Sequence, residues 1–404
     1  MRLIYVKGQN MFNPIKNNNT MKQNKTLLAL ISVLMLTNTS CCQWTPAENQ
    51  FTITGTAYTG MGMPRKVYVF MDGEEKFKTR VKNGHFTLTG NVDSLQLVYF
   101  SDGDNFFLPV VIEPGVTLTC DAPHNSVTGT QLNNQLYRYV KPKKDLQVEM
   151  DLVWDSLNLY EITDEQRSRL KKHHELCWSE RGKLMDTTAW EIYANNKDNH
   201  VGLYMFTELV SYSHDEDDLY KDTLHPRYER VMREFAGAAP IVRQDENVIA
   251  LINRMKAACS VMAGKPFKDF PALTYPDRKP TTLSAEIAGH VALIDFWASW
   301  CYPCRMEIKE ALLPLHQRYA DKGLVVLGVD VDDNSGKHDK ATKDLGITYR
   351  QIIDTTQNFR QLYGISFIPQ VFLIAADGTV LGHFCYGDEG LIPAVENALG
   401  IKED

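Results

Sequence analysis

Two cysteines three residues apart, Cys301 and Cys304, are the side chains in this sequence best placed to do chemistry. They follow an apolar run, Ile294-Asp295-Phe296-Trp297-Ala298, and precede a stretch with helical spacing. The pair is therefore expected where a strand ends and a helix begins. Backbone N–H groups in the first turn of a helix have no intrahelical acceptor, and the positive end of the helix dipole favours an anion. Both effects favour the thiolate of Cys301, which is the nucleophilic form in disulfide exchange. One helical turn brings the Cys304 sulfur within disulfide reach. Pro303 costs little there, because a first-turn residue has no N–H bond to lose. Such a pair also serves as half of a zinc site, but that needs a second ligand pair. No other C-x-x-C and no H-x-x-H occurs. Adjacent His173 and His174 point to different faces of a helix and read as solvated or interface residues, so no metal site is expected. Cys120, Cys177, Cys259 and Cys385 read as buried, inert thiols.

The elements that must position the pair follow from hydrophobic periodicity. After Gly264-Lys-Pro266 the chain alternates strand and helix. Strands are expected at 290–297, 324–331 and 349–353, helices at 302–319, 337–345 and 391–399. A hairpin is expected where Val371–Ile374 and Thr379–Phe384 flank Asp377-Gly378. This order predicts a mixed α/β sheet with helices on its faces. Residues 131–262 are charged and aromatic with helical spacing, as in Tyr204-Met-Phe-Thr-Glu-Leu209, and predict a central helical region. Residues 43–130 hold short alternating segments punctuated by Gly, Asn and Asp, which predicts an antiparallel all-β sandwich or barrel. The chain is thus read as a leader (1–42), a β-rich domain (43–130), a helical region (131–262) and an α/β domain (263–404).

The string Asp295-Phe296-Trp297-Ala298-x-Trp300-Cys301-x-Pro303-Cys304 resembles the active-site segment of thioredoxins, and most nearly that of the exported TlpA/ResA-type thiol–disulfide oxidoreductases. The resemblance covers residues 263–404. It implies a thioredoxin fold, disulfide exchange with protein substrates, and no cofactor beyond a redox-active Cys301–Cys304 disulfide. It also assigns roles. Pro369, in Phe367-Ile-Pro-Gln-Val371, matches the family's cis-proline opposite the cysteines, with Ile368 offering its backbone to substrate. Trp300 and Tyr302 complete the docking surface. Asp295 matches the buried aspartate that accepts the Cys304 proton, and Glu307 a glutamate near the site. Two departures stand out. The family often carries a proline one turn further into the helix, where Ile308-Lys309 stand here, so the kink is expected to shift toward Pro314. Tyr302 replaces a thioredoxin glycine, and the intervening pair helps set redox poise. A membrane thiol donor is the implied source of electrons. The client, apocytochrome c or another protein, is left open. Upstream, Asn83-Gly84-x-Phe86-x-Leu88-x-Gly90 and Ile112-Glu-Pro-Gly115 resemble a β-rich domain of unknown function found in Gram-negative lipoproteins.

Lys22 and Lys25, the apolar run Leu27–Leu36 and the small polar residues before Cys41-Cys42 have the order of a secretory signal. Ten apolar residues fall short of the roughly 20 that span a bilayer. The pattern is similar to a bacterial lipoprotein signal with Cys41 as the acylated residue, although Asn38-Thr39-Ser40 lack the usual aliphatic residue. A lipid-anchored protein of the cell envelope or periplasm is expected. The net charge of -7 gives no electrostatic basis for binding nucleic acid. Two other functions are weighed. A thiol peroxidase would need a P-x-x-x-[TS]-x-x-C loop, which does not precede Cys301. Alternatively, residues 51–262 bind an envelope partner and the redox domain is accessory.

Overall fold

The computed structural model describes residues 49–401 apart from 58–65, 72, 104–106, 158–161, 216–225 and 333–334. The expected leader and Cys41 lie outside the described residues. The described chain forms two compact units, one ending at Cys177 and the other beginning at Trp178.

The first unit contains β1 (Gln50–Thr56), β2 (Lys66–Met71), β3 (Glu74–Arg80), β4 (His85–Asn91), β5 (Gln96–Ser101), β6 (Phe107–Ile112), β7 (Thr117–Asp121) and β8 (Ser126–Thr128). They make two four-stranded sheets, β4-β1-β7-β8 and β3-β2-β5-β6. Period-two alternation buries Phe51 and Ile53 of β1, Val67 and Val69 of β2, and Phe86 and Leu88 of β4. The buried faces meet as in a sandwich: Phe51 packs edge-on to Phe77 and Phe86 tilts against Phe100, with ring centroids 5.2 and 5.1 Å apart. One pairing departs from the antiparallel expectation, because β1 runs parallel to β7. The two strands are far apart in sequence, so no hairpin fixes their relative direction. Helix α1 (Gln131–Leu157) docks on β6 through buried Asn133. Its Nδ2 donates to the Val111 carbonyl at 2.7 Å and its Oδ1 accepts from the Val111 N–H at 3.0 Å. Helix α2 (Asp164–Leu184) carries the expected solvated His173, but also a correction. Cys177 stands one turn after His173, and Glu149 of α1 meets them, so the sequence reading passed over a candidate ligand cluster.

The second unit opens with α3 (Trp190–Ala194), α4 (His200–Asp215), α5 (Pro226–Ala236), α6 (Pro240–Arg243) and α7 (Glu246–Cys259). Its sheet comprises β9 (Pro271–Thr274), β10 (Pro280–Thr282), β11 (Val291–Trp297), β12 (Leu324–Asp330), β13 (Arg350–Ile353), β14 (Gln370–Ile374) and β15 (Val380–Phe384), in the order β10-β9-β13-β12-β11-β14-β15. β11, β12 and β13 are parallel, and β14 and β15 antiparallel. The remaining helices are α8 (Leu283–Ile287), α9 (Tyr302–Glu307), α10 (Leu313–Tyr319), α11 (Ser335–Leu345), α12 (Asn358–Tyr363) and α13 (Leu391–Ala398). This is a thioredoxin-like fold. β11 lies between β12 and β14, and Ala292, Leu293, Ile294, Phe296 and Trp297 are fully buried, as expected of a parallel strand covered on both faces.

The compositional boundary at 262/263 marks a change of secondary structure and not of packing. Ala258 and Val261 belong to the same apolar core as Phe296 and Trp297. Gly364, just after α12, takes φ +70°, and a Cβ there would lie 2.4 Å from the Arg254 carbonyl of α7. Only glycine permits that approach in that conformation. The segment after α7 also pairs with β15, through Gly264 N–H to Val380 O and Val380 N–H to Lys265 O, both 2.8 Å.

Candidate active site

The site grows from the end of β11. The strand delivers Trp297, whose indole N–H donates to Gln351 Oε1 at 2.9 Å. The chain turns through Ala298-Ser299-Trp300, and Cys301 caps α9 with extended backbone. Its Sγ accepts the Cys304 N–H at 3.2 Å, so the sulfur occupies the place a Ser or Asp oxygen takes in an ordinary N-cap. Cys301 and Cys304 are joined in a disulfide. Both cysteines are buried, Cys304 completely and Cys301 with 4% of its surface exposed. The residues on either side of Cys301 in the chain, Trp300 and Tyr302, are 60% and 72% exposed, and Phe367, next to Ile368, is also exposed. Unpartnered aromatic surface of this kind beside a reactive group suits recognition of an extended apolar segment.

The facing wall is the loop before β14. The Ile368–Pro369 peptide is cis, and the Ile368 carbonyl oxygen lies 3.7 Å from Cys301 Sγ. Gln370, next in sequence, is buried, contacts His383, and donates to Cys385 Sγ at 3.5 Å.

Two buried carboxyl groups, Asp295 before the cysteine pair and Glu307 after it, are close enough to feel each other's charge. Asp295, on β11, is fully buried, and neither oxygen has a hydrogen-bond partner among the described residues. Burial, and then the nearby Glu307 charge, hold its carboxyl well above the usual range. Glu307 closes α9, is also buried, and accepts the Gly387 N–H at 3.2 Å. Burial raises it, that N–H lowers it, and Glu310 and Asp388 raise it further. Below them Tyr349 is buried with an unpartnered hydroxyl and is raised by burial and by Asp295. Cys301, Cys304, Asp295, Glu307, Trp300, Tyr302, Ile368 and Pro369 all belong to this one neighbourhood, and Cys41 lies outside the described residues.

A π turn stands where the family's helix carries its proline. Residues Ile308–Leu312 form a π-helical turn between α9 and α10, ending two residues before Pro314. A π turn shifts hydrogen bonding to i→i+5 and is a known source of helix bending near functional sites. Sequence reasoning missed the Gly387, Tyr349 and Gln370–His383–Cys385 elements. Each depends on strand pairing that brings distant residues together, and no local spacing signals it.

Residues 263–383 match the AhpC/TSA family, and residues 51–136 match a domain of unknown function, DUF4369. The thiol:disulfide interchange protein CycY of Rhizobium leguminosarum bv. viciae is 33% identical over 138 residues, 32% of this chain and 72% of that protein. The chain belongs to the thiol:disulfide interchange family. The family's DsbE from Pseudomonas fluorescens biotype C is 32% identical over 122 residues, 30% of this chain and 65% of that protein. A solved thiol:disulfide interchange protein of the thioredoxin family from Chlorobium tepidum TLS is 30% identical, covers 33% of this chain and 96% of that one, and has a TM-score of 0.30. The fold assignment therefore rests on the strand order above. As a thiol:disulfide interchange protein the chain is a thiol–disulfide oxidoreductase. Its interchange domain accounts for about a third of the sequence.

Proposed function

We propose that the protein is an exported reductase of protein disulfides. The observation that carries this reading is the Cys301–Cys304 disulfide at the start of α9, led into by a strand whose Asp295 carboxyl is fully buried and has no hydrogen-bond partner among the described residues. In the reduced enzyme the Cys301 thiolate attacks a substrate disulfide. A mixed disulfide forms, and one substrate thiolate leaves and takes a proton from water. Cys304 then gives its proton to the Asp295 carboxylate and attacks the Cys301 sulfur. The second substrate thiolate leaves, and the enzyme disulfide closes. The substrate gains two electrons and the enzyme loses two, so a thiol donor, membrane-bound in this reading, must reduce Cys301–Cys304 again. No cofactor beyond that disulfide takes part.

The raised carboxyl of Asp295 makes it a better proton acceptor than an exposed aspartate. Glu307, raised by burial and close enough to repel Asp295, tunes that acceptor and passes its proton toward the surface. Trp300, Tyr302 and the backbone of Ile368 dock the substrate segment beside Cys301, and cis-Pro369 holds that backbone in place. Cys41 anchors the chain to a membrane of the cell envelope through lipid. No helix among the described residues is long and apolar enough to cross a membrane.

The test is the reduction potential of the Cys301–Cys304 couple, measured in glutathione or dithiothreitol buffers. A potential well below that of protein disulfide isomerase, at about -180 mV, with dithiothreitol-driven reduction of insulin, supports a reductase. A potential near that of DsbA, about -120 mV, would make the protein an oxidant.

A further inference from the structure

The hairpin of α1 and α2 brings three dissimilar donors together outside the redox site. Glu149 Oε1 of α1 lies 2.8 Å from His173 Nε2 of α2, and Cys177 Sγ lies 4.0 Å from the same nitrogen. The three ligand atoms all fall within 4.8 Å of one another. His173 and Cys177 are four residues apart, so the helix itself stacks them on one face. Zinc bonds of about 2.0–2.3 Å to imidazole, thiolate and carboxylate put tetrahedral ligand atoms about 3.3–3.6 Å apart. The observed Sγ–Nε2 and Nε2–Oε1 separations lie on either side of that range, and rotation of the exposed Glu149 and His173 side chains closes the difference.

An exposed Glu–His ion pair alone needs no further explanation. The cysteine is the discriminating feature. Cys177 is 3% exposed and is the one buried side chain of α2 among the described residues. Its sulfur sits against the polar pair. A nitrogen, sulfur and oxygen donor set selects a borderline cation such as zinc over calcium or magnesium. Three protein ligands with a solvent-facing fourth position match the open form of zinc coordination.

We propose that Glu149, His173 and Cys177 bind one zinc ion, clipping α1 to α2. On binding, the Cys177 thiol releases its proton to solvent and the sulfur coordinates as thiolate, with no electron transferred.

The test uses the full chain with Cys301–Cys304 oxidised, so that this pair cannot take up metal. Cobalt(II) is titrated in as a spectroscopic probe and then displaced by zinc. The expected result is a thiolate-to-cobalt charge-transfer band in the near ultraviolet that saturates at one equivalent and is abolished by zinc. Cys177→Ser removes the band. His173→Ala and Glu149→Ala, at exposed positions, weaken zinc binding by about 10-fold or more while circular dichroism stays unchanged. Zinc raises the melting temperature of the parent protein but not of Cys177→Ser. Absence of the band, its persistence in Cys177→Ser, or unchanged zinc affinity in both exposed variants would overturn the proposal.

Discussion

Cys301 begins a helix, and Cys177 sits in the middle of one. At α9 the sulfur is the N-cap, receives the Cys304 N–H, and is flanked in the chain by the exposed aromatics Trp300 and Tyr302. In α2 the first-turn amides lie three turns away. Burial, then the Glu149 carboxylate, push the Cys177 thiol up. Burial alone takes Cys259 to about 12, and burial with Asp121 takes Cys120 there too. The same side chain thus meets a helix-start N–H in one place, and burial that favours its protonated form in others. Position along the helix and the sign of the nearest charge decide which.

The strongest way to break this comparison is to remove the sulfur at the helix start. Cys301→Ser is expected to lower insulin reduction by more than roughly 10³-fold. Cys304→Ser should retain the first attack and accumulate a mixed disulfide with substrate, visible by mass spectrometry under non-reducing conditions.

The next largest effect is expected at Asp295. Asp295→Asn should slow turnover by about 10²-fold, the usual contribution of a positioned proton acceptor. It also has a signed stability consequence. The native carboxyl is held above its unfolded value. The contribution of Asp295 to stability is therefore greatest below the ordinary carboxylate value, near pH 4, and is lost as pH rises through the native one. Asparagine does not ionise, so Asp295→Asn should gain stability relative to the parent across that rise. Each tenfold difference in proton affinity between the folded and unfolded chain corresponds to about 1.4 kcal/mol. Urea denaturation at several pH values reads the difference, and parallel pH profiles for the two proteins would contradict the buried, ionisable Asp295.

Much of the redox unit is legible in the chain alone. The apolar run 291–297, the helix start after it and the turn at Asp377-Gly378 all have local signals. Other parts do not. β3, Glu-Glu-Lys-Phe-Lys-Thr-Arg, is an edge strand covered in charge, with Lys76–Glu74 and Lys78–Glu75 pairs on it, and it lacks the apolar alternation that marks its neighbours. α12 is six residues long and has meaning only where Gly364 meets α7. The Gly387 N–H that holds Glu307 comes from 80 residues downstream. Eight residues of the candidate site were named from a motif and a resemblance. Their shared pocket, and the ligand cluster on α2, required tertiary pairing.

Gly364→Ala probes the framework rather than the sulfur. The positive φ and the 2.4 Å approach predict a cost of about 1–3 kcal/mol, read as a fall in melting temperature with little change in the activity of the folded fraction. The smallest effect is expected from the inert thiols. Cys259 and Cys385 are half-buried and not buried as expected, because each sits where an element ends, whereas Cys120 is buried within β7. Cys120→Ala and Cys259→Ala should leave insulin reduction within about twofold of the parent, and a larger loss would blur the contrast between the capping sulfur and the others.

The most direct measurement is competitive alkylation of the fully reduced protein with limiting iodoacetamide at neutral pH, followed by peptide mass spectrometry. Cys301 should be modified first, well ahead of Cys304 and of every buried thiol. First labelling at Cys304, or equal labelling of all the cysteines, would contradict the account.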